Sequence, residues 1–212
     1  LDLQRGYRFA IGLQDPGYLL RDYHTAQVAP KAALKGRPHA TRRDELAIPK
    51  DKLSTILSTR DYRQDASCLV VVQALPDAPY KLAELMQALR EPRHVLYLGR
   101  KSCPLAAPLF PQIVAADEVC SAFGAYINLL RERLKQAPRK TSKPASTTPA
   151  KMLPGVAPIS QLIWSDLMPI ACEPTFSITR KDRIISRQGW QFGDRIEHRA
   201  IISIGEEACI SA

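Results

Sequence analysis

The sequence predicts an α+β domain, with helices on one face of a mostly antiparallel sheet. Three observations lead there. Short apolar runs recur along the chain, the clearest being Leu69, Val70, Val71 and Val72, a β-branched stretch typical of a buried strand. Two stretches of helical periodicity lie between such runs. The 212 residues are 45% hydrophobic, which suffices for one core and excludes a disordered chain. The ferredoxin-like class is the natural candidate, and it often binds RNA on its open sheet face.

The elements follow in order. Tyr7 to Leu13 is apolar and carries aromatic residues, so it reads as a strand, and Tyr18 to Tyr23 reads as a second. From His24 to Ser58 the chain has Pro30, Pro38 and Pro49, scattered Lys and Arg, and little apolar periodicity, so this excursion cannot build a core of its own. Ala66 to Leu75 is the third strand. Leu82, Leu85, Met86 and Leu89 recur at helical spacing and predict an amphipathic helix over Pro79 to Arg90, with Pro92 just beyond it. Asp117 can cap a second helix whose stripe is Val119, Phe123, Ile127, Leu130 and Leu134, with cations in its last turns and Pro138 at its end. Residues 137–158 are rich in Pro, Ser, Thr and Lys and read as a linker or long surface loop. Short strands are expected at Gln161 to Trp164, Phe176 to Arg180, Arg183 to Ser186 and His198 to Ile204. The division is therefore a domain over 1–136, the loop, and a β-rich segment over 159–212.

Thirty Lys and Arg against 21 Asp and Glu leave a formal +9, a field that favours a polyanion, nucleic acid before an anionic membrane. No apolar run is long enough to span a bilayer, and the first residues lack the zones of a signal peptide, so a soluble cytoplasmic protein is expected. Five cysteines without a C-x-x-C (Cys68, Cys103, Cys120, Cys172 and Cys209) fit buried thiols in a reducing compartment better than disulfides or zinc. Enzyme signatures are missing: there is no phosphate-binding glycine motif and no G-x-S-x-G. The histidines His24, His39, His94 and His198 have no spacing that would set two on one metal. No cofactor, metal or catalytic residue is assigned.

The excursion carries the chemistry. Its ends bear nearly the same triplet, Arg21-Asp22-Tyr23 and Arg60-Asp61-Tyr62, the first followed by His24. In antiparallel arms these would gather guanidinium forks for phosphates and flat rings for unpaired bases, as single-stranded RNA binding requires. Lys31, Lys35, Arg37, Arg42 and Arg43 lie between them. The alternative is a solvated loop whose charges keep it soluble, and composition does not choose. A second candidate is Tyr97 to Leu105, where Gly99 precedes Arg100, Lys101 and Ser102; glycine lets backbone amides approach a phosphate closely. A third basic stretch runs from Arg180 through Arg187 and Trp190 to Arg199, either lining the same face or forming an edge hairpin kept from aggregating by charge.

The order GYLLRDYHT, a basic excursion, STRDYRQDASCLVVV, an amphipathic helix, then PRHVLYLGRKSCPLAAPLF closely resembles the CasD family, the Cas-five subunit of the type I-E CRISPR Cascade antiviral complex. The likeness covers Gly17 to Phe110 and continues more weakly through Ile163 to Asp166 and Lys181 to Phe192. It implies a ferredoxin-like, RRM-like domain with a protruding β-hairpin thumb at about 24–59, and a non-catalytic subunit that holds the 5′ handle of the CRISPR RNA. Its implied partners are the Cascade backbone subunit and the large subunit, with no membrane. Arg21, Tyr23, His24, Arg60 and Tyr62 would then lie at the thumb base, Arg42 and Arg43 on the thumb, and Gly99, Arg100, Lys101 and Ser102 in a glycine-rich loop. The family normally opens with a strand and a helix that do not precede Leu1, so a domain lacking them is expected. A rival reading, from relatives that process their own precursor, is a metal-independent endoribonuclease recruiting His24, Tyr23 and Lys101.

Overall fold

The computed structural model describes residues 6–136 and 156–205, except Pro38, Asp166 and Pro169. Most of the expected surface loop, together with Asp166 and Cys209, lies outside the described residues. The architecture is α+β with antiparallel pairing throughout, as expected and compatible with a ferredoxin-like fold. The chain divides into two compact units, residues 17–65 and the remainder.

In the larger unit five strands form one sheet. They are β1 (Tyr7–Asp15), β4 (Ser67–Ala74), β5 (Ile159–Ser165), β6 (Phe176–Ser186) and β7 (Gln191–Ile204), in the order β4-β1-β5-β7-β6. Alternation places Ala10, Leu162, Trp164 and Ala200 on one face, where they form the core with Val119, Phe123 and Ile127 of one helix. This helix, α4 (Val119–Gln136), buries the first half of the expected stripe and leaves Leu134 exposed. Its other side holds the preceding segment: Tyr126 Oη donates to the Phe110 carbonyl at 2.7 Å, and the Arg133 guanidinium sits 3.9 Å from the Phe110 ring centre. Tyr7 Oη, donating to the Tyr80 carbonyl at 2.6 Å and accepting from the Tyr80 amide at 3.0 Å, fixes the approach to α3 (Leu82–Arg90).

Several expectations change. The helix expected from Pro79 begins at Leu82, where the Lys81 amide donates to the Glu84 carboxylate at 2.7 Å, and none of its residues is buried. The two strands expected between Phe176 and Ser186 are one strand, whose pairing is irregular between Arg180 and Arg183, where the run of charges reads as a break. The thiols of Cys68, Cys103, Cys120 and Cys172 are free, but none belongs to a fully buried residue: Cys68 is exposed, and Cys120 and Cys172 pack at the margin of the core.

The excursion is not structureless. In the smaller unit β2 (Tyr18–Val28) pairs along its whole length with β3 (Ser54–Gln64). Two short helices, α1 (Lys31–Leu34) and α2 (Arg42–Leu46), and a 3-10 turn at Lys50–Lys52 connect them. Thr41 caps α2, its amide donating to the Asp44 carboxylate at 3.1 Å and its hydroxyl accepting from the Asp44 amide at 3.3 Å.

Candidate nucleic-acid interface

The register of the β2–β3 ribbon decides which candidates meet. Tyr18 lies opposite Gln64 and the pairing proceeds without a slip to Val28 opposite Ser54. The repeated triplets therefore run past one another, Arg21 facing Asp61 and Asp22 facing Arg60. Each arginine is placed across from the other triplet's aspartate, so the expected cluster of guanidinium forks is instead a pair of crossed charges. Arg21 donates through Nε at 2.8 Å and Nη2 at 3.0 Å to the two oxygens of Asp61. That bond raises the Arg21 pKa and holds the Asp61 carboxyl below its ordinary value. Nη1 of Arg21 takes no part in the pair, which leaves donors for a second anion.

Strand alternation sorts the remaining residues onto two faces. His24, Arg60 and Tyr62 share a face with Asp22, whereas Arg21 and Tyr23 lie on the other. His24 Nε2 is bonded to Asp22 Oδ2. Tyr23 is 59% exposed, an open ring on a polar strand. Farther along, Arg42 is engaged within the unit, donating to the Glu45 carboxylate and to the Gln27 carbonyl, while Arg43 is exposed. Residues 17–65 contain ten Lys and Arg against six Asp and Glu, so the unit remains basic after these pairings, most of the excess lying in the connection between the two strands.

Sequence reasoning missed the apolar side chains of the ribbon. Tyr18, Leu20 and Ile56 are exposed on the face of His24, and Leu19 and Leu57 on the face of Tyr23. A two-stranded ribbon has no core behind it, so these side chains face solvent on both sides. The signal was adjacent apolar pairs, Leu19-Leu20 and Ile56-Leu57, which must point to opposite faces of any strand.

In the larger unit the Tyr97–Leu105 candidate is a closed turn. Tyr97 bridges to Pro104, the Leu98 amide donates to the Cys103 carbonyl at 2.9 Å, and the Cys103 amide donates to the Arg100 carbonyl at 2.9 Å. Gly99 adopts φ +78°, and Arg100, Lys101 and Ser102 are exposed at the turn. Among the described residues no group of three or more His, Cys, Asp or Glu side chains could hold a metal, and no helix is long and apolar enough to cross a membrane.

Over 91 residues the chain is 38% identical to the CRISPR system Cascade subunit CasD of Escherichia coli (strain K12), a match covering 43% of this chain and 34% of that protein. The match thus spans about a third of the relative's length. A chain of a solved CRISPR RNA-guided surveillance complex superposes with a TM-score of 0.51 at 20% identity, covering 96% of this chain and 70% of that one, a likeness of fold. The family described as CRISPR-associated protein (Cas_Cas5) matches residues 1–195, nearly the whole sequence, and the chain belongs to that family.

Proposed function

We propose that this chain is a non-catalytic, RNA-binding subunit of a Cascade-type CRISPR complex, in which the β2–β3 ribbon is the thumb and binds the guide RNA's 5′ handle through its base residues; in the larger unit the Gly99 turn is an RNA contact of its own. The observation that carries this reading is the two-sided ribbon. Apolar residues exposed on both faces of a ribbon with no core behind it mark surfaces for partners, and the basic and aromatic residues among them suit a ribonucleoprotein partner. The backbone and large subunits are the protein partners on this reading. Tyr23 supplies a ring for an unpaired base, and Arg21, held by Asp61, supplies a pre-oriented fork for a phosphate.

The endoribonuclease reading draws on one observation, the His24 imidazole bonded to the Asp22 carboxylate as an acid-base pair would be. Against it, Tyr23 precedes His24 directly on the strand and points to the opposite face, so the two cannot act on one 2′-hydroxyl. A single experiment separates the readings. Repeat RNA incubated with the purified chain in EDTA is expected to shift on a gel and remain intact. Cleavage to a 2′,3′-cyclic phosphate that His24→Ala abolishes would establish the nuclease. In the same binding assay Arg21→Ala with Arg60→Ala should flatten the dependence of log affinity on log salt by about 0.7 for each phosphate that the variant no longer neutralises. An unchanged slope would make these arginines purely structural.

A further inference from the structure

The thumb and the Gly99 turn leave one motif unused, the hairpin joining β6 to β7. Its turn closes with the Trp190 amide donating to the Arg187 carbonyl at 3.4 Å, with Gly189 at φ +80° and Trp190 itself at φ +51°. The left-handed region is a genuine outlier for a bulky side chain. Burial does not compensate for it, because Trp190 is 65% exposed and its ring stacks on the exposed Phe192, centres 6.4 Å apart and planes 23° from parallel. The pair presents a flat apolar surface in water at the end of a strand pair.

The charges around it fall into two groups. Arg180, Arg195 and Arg199 are committed to carboxylates: Arg195 grips Asp182 through two bonds, and all three donate to Glu197. Lys181, Arg183 and Arg187 are exposed and form no ion pair among the described residues. Asp194 is the acidic side chain nearby that these networks do not use. Register sorts the exposed cations: Arg183 lies opposite Gly193, on the other face from Phe192, so Arg187 is the uncommitted cation in the turn of the stacked rings, and the set matches a ligand that offers a flat ring and an anion in the same repeat. Single-stranded nucleic acid offers both.

We infer that the β6–β7 hairpin tip is a second single-strand site, where an unpaired base stacks on Trp190 and Phe192 and a flanking phosphate meets Arg187 of the same turn. It does not depend on the handle assignment, and the shared chemistry of base and phosphate admits RNA or DNA. The chain has two tryptophans, and Trp164 is only 5% exposed, so quenching of intrinsic fluorescence reads this site directly. The full chain is titrated with a 12-residue oligouridylate and, in parallel, a 12-residue oligothymidylate. Saturable quenching is expected with at least one of them, and the tighter arm names the source. Trp190→Phe should abolish the quenching, leaving the silent Trp164. Arg187→Ala should raise the half-quenching concentration and reduce the salt slope by about 0.7, the value for one single-strand phosphate. Arg21→Ala with Arg60→Ala should leave the quenching intact, so failure of the handle reading would not touch this one. Emission that stays constant at saturating oligonucleotide overturns the inference. So does quenching that persists in Trp190→Phe or ignores the removal of Arg187; the aromatic pair would then serve a protein contact.

Discussion

Gly99 stands at φ +78°, and a Cβ added there would meet nothing within 4 Å, so conformation and not crowding reserves the position for glycine. A β-branched residue in this region costs on the order of 1–2 kcal/mol and would reshape the turn, whereas asparagine tolerates it. Gly99→Val is therefore expected to weaken RNA binding more than Lys101→Ala, while Gly99→Asn stays near wild type. If Gly99→Val folds and binds normally in an anisotropy titration, the backbone of this turn is not a contact. The identity of such residues was legible in the sequence, because a glycine before two cations is a local pattern. The partner of Arg21 was not: Asp61 lies 40 positions away, and only the register of β2 on β3 brings it within 2.8 Å.

Where β1 crosses β5, Gly12 leaves room for a side chain from the next strand. A Cβ on Gly12 would lie 2.5, 3.1 and 3.2 Å from three atoms of Ile159, which is fully buried and cannot swing away. Gly12→Ala should cost roughly 1–3 kcal/mol in denaturant unfolding, and adding Ile159→Val should recover part of it. On the other face of the sheet Glu197 of β7 is buried. Burial alone would raise its carboxyl, but the guanidiniums of Arg180 and Arg199 outweigh that and hold it below the ordinary 4.5. A lowered folded-state value means the stabilisation is complete above about pH 4.5 and is lost as pH falls through the lower value. Glu197→Gln should therefore destabilise the protein at pH 7 by about 1–3 kcal/mol and remove part of the stability loss seen below pH 4.5. An acid branch identical to wild type would mean the network carries no linkage. At this scale period and composition revealed both larger helices and each sheet strand in part, β6 as two pieces and β7 only from His198 onward. They hid the second half of β2 and the whole of β3, because strands with polar and apolar side chains on both faces show no alternation, and their charges complement each other only after pairing.

The two units share a strongly basic chain, +9 overall, whose repulsion opposes nonspecific association while its apolar exposure promotes it. Sequence could show that α3 is amphipathic but not whether its stripe is covered, since burial depends on what packs against it. Among the described residues Leu89 of α3 is exposed and β4 has a free edge beside β1. That edge strand carries Leu69 to Val72, and Val70 points outward with more than half its surface in water. An apolar edge strand without a charge or proline is a template for pairing with another chain. The isolated chain is accordingly expected to self-associate as concentration rises, despite its net charge, and assembly with partners should suppress this. Val70→Lys tests the route: the residue is solvent-facing, so the folded sheet should lose little, while a cation on the edge strand should disfavour edge-to-edge pairing. Light scattering across a concentration series should show the variant monodisperse at concentrations where the wild type forms larger species. Equal association of the two would move the cause away from β4, to the two-sided β2–β3 ribbon, where Leu19→Lys with Leu57→Lys should then have the effect that Val70→Lys lacks.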